Sequence, residues 1–183
     1  RYLVDCSWFK QWKEFVGYDI QGQWGAADKR NNPGPINNSP LLKADGSTLK
    51  EHLIDELDYF LLPEGAWLKL VSWYGVTSDQ HALPRKVVEH GMYIKNNKVE
   101  VYLMEFNLSQ LSDPNTFFEM KFSRGDTLGH VRSEMKNVFN IAEDTETRLW
   151  SKYMSATYEL HANMEQTVKN AGLYQGQVHI DQK

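Results

Sequence analysis

The chain has 183 residues, 41% of them hydrophobic and 13% aromatic, and a net charge of −4, enough apolar material for one large core or, as the better fit, two small ones. Its lysines and arginines are dispersed among acids, so no basic field forms to neutralise phosphates and nucleic acid is not expected as a partner. The single cysteine, Cys6, excludes an intrachain disulfide and a cysteine zinc site and favours a reducing compartment, cytosol or nucleus; no apolar run approaches the roughly 20 residues of a membrane span.

Ser7 to Gly17 opens with a capping serine, sets Trp8, Phe9, Trp12, Phe15 and Val16 at helical spacing and meets a terminating glycine. This predicts a buried amphipathic helix whose tryptophans are core rather than a stacking platform. From Tyr18 to Pro40 glycine, asparagine and proline break all periodicity, and NNPGPINNS from Asn31 is turn chemistry. Pro33, Gly34 and Pro35 restrict that loop, with Ile36 as the candidate to pin it; Trp24 is either a cover for the core or an exposed contact. Leu49, Leu53, Ile54 and Leu57 predict a short helix over 49–57, and Asp58 to Leu62 a buried strand. Pro63 then starts a second helix carrying Trp67, Leu70, Val71 and Tyr74 up to Gly75.

Arg85 to Phe106 reads as two β-rich arms, Val87 to Ile94 and Val99 to Phe106, folded about Asn96-Asn97. It divides the chain into expected domains 1–103 and 104–183. The hairpin is either an ordinary strand pair or a display surface. In the second case Met92, Tyr93 and Ile94, beside the turn, are the expected partner-binding residues, at least one of them exposed.

Beyond it, Phe117 to Phe122 predicts a strand, and Asp126-Thr127 caps a helix with Leu128, Val131, Met135, Val138 and Phe139 on one face. Strands follow at Thr147 to Tyr153, Tyr158 to Leu160 and Gln177 to Ile180, with a turn around Thr167 to Leu173. Alternation points His179 outward and Val178 and Ile180 inward. The order β, β, α, β, β, short helix, β is that of a ubiquitin-like β-grasp.

Chemistry-bearing constellations are sparse. Cys6 precedes a hydrophobic helix with no paired base, so it is not read as a nucleophile. Glu51, Asp55, Glu56 and Asp58 read as a solvated face, and His52 and His81 have no metal-ligand partners at suitable spacing. No catalytic residue, metal or cofactor is expected, and a stand-alone enzyme is the weaker hypothesis.

The strings TLKEHLIDELDYFLLPEGAWLKLVSWYG, PGPINN, RKVVEHG with KVEVYL, ETRLWSKYMS and AGLYQGQV together resemble the N-terminal region of the ubiquitin-specific proteases, the ubiquitin carboxyl-terminal hydrolases, in particular the vertebrate paralogues numbered four, fifteen and eleven. The resemblance implies an α+β chain: a DUSP tripod of three helices and a three-stranded sheet, joined through a β-hairpin linker to a ubiquitin-like β-grasp domain. It implies a non-catalytic regulatory region of a cytoplasmic and nuclear thiol protease, a monomer whose papain-like catalytic domain lies downstream. The implied partners are that catalytic domain and helical-repeat adaptors of the HAT type. Cys6 stands where relatives carry serine, and the loop from Gln21 to Asn32 matches none of them well. Arg148-Leu149-Trp150 falls on the strand that in ubiquitin carries the apolar recognition patch, with Trp150 replacing a smaller aliphatic, which makes Trp150 a candidate contact. The alternative is a free-standing ubiquitin-like modifier or ubiquitin mimic. A modifier needs a C-terminal Gly-Gly tail, whereas Gly176 is followed by Gln177 and the sequence given ends Asp181, Gln182, Lys183.

Overall fold

The computed structural model describes residues 1–18, 30–91, 93–153, 157–174 and 176–182, which form two compact units, Arg1–Arg85 and Lys86–Lys183. The call on Trp24 lies outside the described residues.

The first unit contains β1 (Tyr2–Asp5), α1 (Cys6–Val16), β2 (Tyr59–Leu62) and α2 (Glu64–Tyr74), with 3-10 turns at Ser39–Leu41 and Asp79–His81. β1 pairs antiparallel with β2, Tyr2 opposite Leu62, and a bridge from Tyr2 to Pro84 adds a third, minimal strand. The cap of α1 is Asp5 rather than Ser7: its carboxylate accepts the backbone N–H of Ser7 at 3.1 Å and of Trp8 at 3.0 Å. An ionised cap at a helix N-terminus is stabilised by the dipole as well as by the two hydrogen bonds. Gly17 ends the helix in the left-handed conformation at φ 76. Val4, Trp8, Ile36, Leu62, Trp67 and Leu70 form the core, with Phe9 and Trp12 packed on it; the Tyr2 ring stacks on Trp67 at 4.9 Å.

The helix expected over 49–57 does not form. Asp58 accepts the N–H of Ile54 at 2.7 Å through its side chain, Glu56 donates to the Tyr59 carbonyl at 2.8 Å, and His52 and Glu56 adopt φ of 60 and 65. A side chain that hydrogen-bonds nearby backbone competes directly with the helical ladder. Ile54 and Leu57, read as the inner face of that helix, are exposed instead.

The second unit holds β3 (Val87–His90), β4 (Asn96–Val99), β5 (Met104–Gln110), β6 (Asp113–Phe122), α3 (Leu128–Val138), β7 (Thr147–Tyr153), β8 (Thr157–His161) and β9 (Gly176–Gln182). β5 to β9 make one sheet in the order β6-β5-β9-β7-β8, in which β5 and β9 run parallel and the other neighbours antiparallel. α3 packs Leu128, Val131 and Met135 into a core with Phe106, Leu108, Phe122, Leu149, Val178 and Ile180. This is the β-grasp that the element order announced. Thr127 caps α3 through His130 N–H at 3.2 Å. The short helix in the expected order is instead a run of turns around the fully buried Val168.

The hairpin differs from its sequence reading in two respects. Asn96 and Asn97 are strand residues opposite His90 and Glu89, and Gly91, Tyr93, Ile94 and Lys95 fall outside both strands. Gly91 has φ +100, and a Cβ there would lie 2.1 Å from the Ile94 carbonyl oxygen, so glycine is required by both conformation and space. The second arm stops at Val99; Met104 to Phe106 belongs to β5. The base of the hairpin is fastened within the second unit. Buried Glu100 accepts hydrogen bonds from Ser123 Oγ at 2.6 Å, Arg124 N at 2.9 Å and Arg124 Nη1 at 3.1 Å, and Lys86 meets Asp126 at 2.6 Å. Compactness thus divides the chain at Arg85, ahead of the hairpin, whereas the sequence reading placed the boundary after Leu103. Strand periodicity specifies a hairpin but not the neighbour it packs on.

Candidate functional site

Three places collect the residues singled out from sequence. At the hairpin tip Tyr93 is 97% and Ile94 77% exposed; Met92 lies outside the described residues. Lys95 pairs with Glu89 at 3.2 Å below them.

The loop Pro33 to Ile36 is turned inward more than outward. The Trp8 indole donates to the Gly34 carbonyl at 3.2 Å. Fully buried Ile36 donates its N–H to Gly75 O and accepts the Thr77 N–H, both at 3.0 Å. Pro35 is exposed, Pro33 and Gly34 half-buried. Sequence reading missed the residue that ties this loop to the fold, Asn38, which is fully buried. Its Oδ1 accepts Asp5 N–H at 2.8 Å, while Nδ2 donates to Leu3 O at 2.9 Å and His81 O at 2.8 Å. One asparagine in a run of turn formers carries no pattern that separates a buried hub from a solvated turn. His81 is locally hydrogen-bonded, to Thr77 Oγ1 at 2.6 Å.

The third place is the sheet face opposite α3. Trp150 lies opposite His179 on β9 and Leu160 on β8, and Phe117, Tyr158 and Leu160 are 46%, 37% and 46% exposed. Lys152 lies over the Tyr158 ring at 5.6 Å. His179 faces this side, as alternation requires, yet is fully buried. The Tyr158 ring sits 5.2 Å away, and Ser109 Oγ is 2.6 Å from its Nδ1. Burial, and secondarily the Lys152 charge, holds its pKa below the ordinary 6.5. Among the described residues neither His179 Nε2 nor Trp150 Nε1 finds a hydrogen-bond partner.

These places stand on different elements and share no residue. Cys6 is 4% exposed, with its sulfur directed at the Glu56 carbonyl at 3.6 Å, a structural environment rather than an activating one. Among the described residues no group of His, Cys, Asp or Glu could hold a metal ion, and no helix is long and apolar enough to cross a membrane.

The arrangement defines a two-domain module, a DUSP domain followed by a ubiquitin-like domain. The DUSP domain model matches residues 1–89 and the ubiquitin-like domain model residues 105–183. The chain is 51% identical to ubiquitin carboxyl-terminal hydrolase 4 of Bos taurus over 180 residues, 98% of this chain and 19% of that protein. It is likewise 51% identical to ubiquitin carboxyl-terminal hydrolase 15 of Xenopus tropicalis, covering 98% of this chain and 18% of that protein. Among solved structures, a Caldiarchaeum subterraneum ubiquitin is 20% identical with a TM-score of 0.35, covering 44% of this chain and 94% of its own. A ubiquitin-like domain of tubulin-binding cofactor B is 13% identical with a TM-score of 0.38, covering 44% and 90%. The chain carries a DUSP domain followed by a ubiquitin-like domain, and over 98% of its length it is similar to ubiquitin carboxyl-terminal hydrolases 4 and 15. It spans about a fifth of the length of the curated relatives it matches and contains no hydrolase catalytic domain.

Proposed function

We propose that this region regulates a deubiquitinating cysteine protease, modulating ubiquitin turnover by a downstream catalytic domain and docking adaptor or substrate proteins, helical-repeat adaptors of the HAT type among them. The observation that carries the reading is the ordered pair of domains at 51% identity to hydrolases in which it occupies 19% of the length. The docking element in this reading is the hairpin tip. Tyr93 and Ile94 present large apolar area on a short, paired scaffold, so little side-chain and loop entropy is lost on binding.

The test is calorimetry of the tandem against a HAT-repeat protein and against a family catalytic domain, with Tyr93→Ala and Ile94→Ala. Loss of affinity of roughly tenfold, about 1.4 kcal/mol, at an unchanged melting temperature supports the tip as the docking element. Unaltered affinity for both partners in both variants sinks it.

A further inference from the structure

Beside the hairpin, within the second unit, two depressions adjoin. One, of about 350 Å³, is lined by His90, Gly91, Arg124, Lys169 and Tyr174 together with Glu89 and Leu173. The other, of about 520 Å³, is lined by Tyr102, Leu103 and Met104 and shares Arg124 and Tyr174 with the first. Their charge is lopsided. Glu89, the acid on the lining, has its carboxylate engaged by Lys95 at 3.2 Å. Lys169 rests its ammonium on the Glu89 backbone carbonyl, a partner without net charge. Arg124 gives Nη1 to buried Glu100, which fixes the guanidinium in place, and still leaves its side chain 42% exposed. Tyr174 and Tyr102, 69% and 42% exposed, supply rings on the same lining.

We propose that this groove binds an acidic linear segment of a partner protein, with carboxylates on Lys169 and Arg124 and a neighbouring apolar side chain against Tyr174 and Tyr102. Pre-positioned cations favour a carboxylate because little order has to be imposed on binding. The tyrosines add contact area that a small inorganic anion cannot use. In a chain of net charge −4 the attraction is local, which confines acidic segments to this groove. The inference is independent of the hairpin tip and of the sheet face around Trp150.

The experiment is fluorescence anisotropy of a labelled octapeptide of glutamates with two leucines, titrated with the whole chain at low salt. Saturable binding is expected. It should weaken at least tenfold in Lys169→Glu and in Tyr174→Ala, and strongly at about 0.5 M salt, where screening acts over only a few ångströms. The same peptide with glutamine for glutamate should fail to bind. Melting curves accompany both variants; if Lys169→Glu lowers the melt, Tyr174→Ala and the glutamine peptide decide the matter. Absence of saturable binding, affinity unchanged by Tyr174→Ala, equal affinity for the glutamine peptide, or equal affinity for a single-stranded oligothymidylate would each overturn the proposal.

Discussion

Asn38 shows how much one side chain can hold. It satisfies the Asp5 N–H and the Leu3 and His81 carbonyls at once, joining β1, the proline-rich loop and the turn Asp79–His81. Asn38→Ala should lower first-unit stability by about 3 kcal/mol, since buried groups stripped of a partner cost about 1 to 3 kcal/mol each and the loop relaxes in part. Chemical denaturation measures it, and a loss under about 1 kcal/mol would show that water replaces the amide. His179 makes a pH prediction. Burial lowers its pKa in the fold below 6.5, so the unfolded chain binds more protons as pH falls. Its contribution is therefore fully present above pH 6.5 and declines below it, until the folded-state pKa is passed. The second unit should lose stability on acidification through this window, and His179→Gln should flatten the slope; His161, buried and shifted the same way, sets the remainder. An unflattened slope would assign the effect to other groups.

At the scale of elements, legibility followed the strength of the local signal. The stripes Trp8 to Val16, Trp67 to Tyr74 and Leu128 to Val138 each gave a helix, because an apolar face of that period has one way to be buried. The same stripe at Leu49 to Leu57 gave none, since Asp58 supplied the backbone with competing hydrogen bonds. The exposed tip was legible at Tyr93 and Ile94, but the reversal was not: Asn96-Asn97 resembled a turn, and Gly91 made it. The groove at Arg124 and Lys169 left no trace in sequence, as its residues, from Glu89 to Tyr174, lie up to 85 positions apart. The hairpin's attachment can be tested through Glu100, whose side chain is 2% exposed. Glu100→Ala should free the hairpin base and expose it to amide exchange, and leaving the Ser123 hydroxyl and the Arg124 N–H without their acceptor costs about 1 to 3 kcal/mol. Unchanged exchange over Val87–Val99 would show that the Lys86 and Asp126 pair suffices.

For the whole molecule, two separate cores predict separable responses. Trp67→Ala should lower the thermal midpoint of the first unit and Met135→Ala that of the second, each by a core loss of about 2 to 5 kcal/mol, with NMR shifts confined to the mutated half. Collapse of both spectra from one change would mean a single cooperative unit. The chain should cleave no fluorogenic ubiquitin substrate, because its one thiol is buried against a carbonyl; activity lost in Cys6→Ala would reverse that. A common ubiquitin-binding helix should produce no saturable shift, since the large Trp150 indole stands on this sheet face between His179 and Leu160. Tight binding there would establish mimicry.

The position of β9 governs how such a chain is born. It is the last strand in sequence yet lies in the middle of the sheet, bonded to β5 on one side and β7 on the other. As the ribosome releases the polypeptide from its N-terminus, the first unit has all its residues long before residues 176–182 emerge. Until then the β5–β6 and β7–β8 hairpins carry open inner edges with no strand to join them, and exposed edges invite pairing with other chains. Synthesis therefore passes through an interval in which the residues of one domain are complete and those of the next are not, and the inner strand edges stay unpaired for that whole interval.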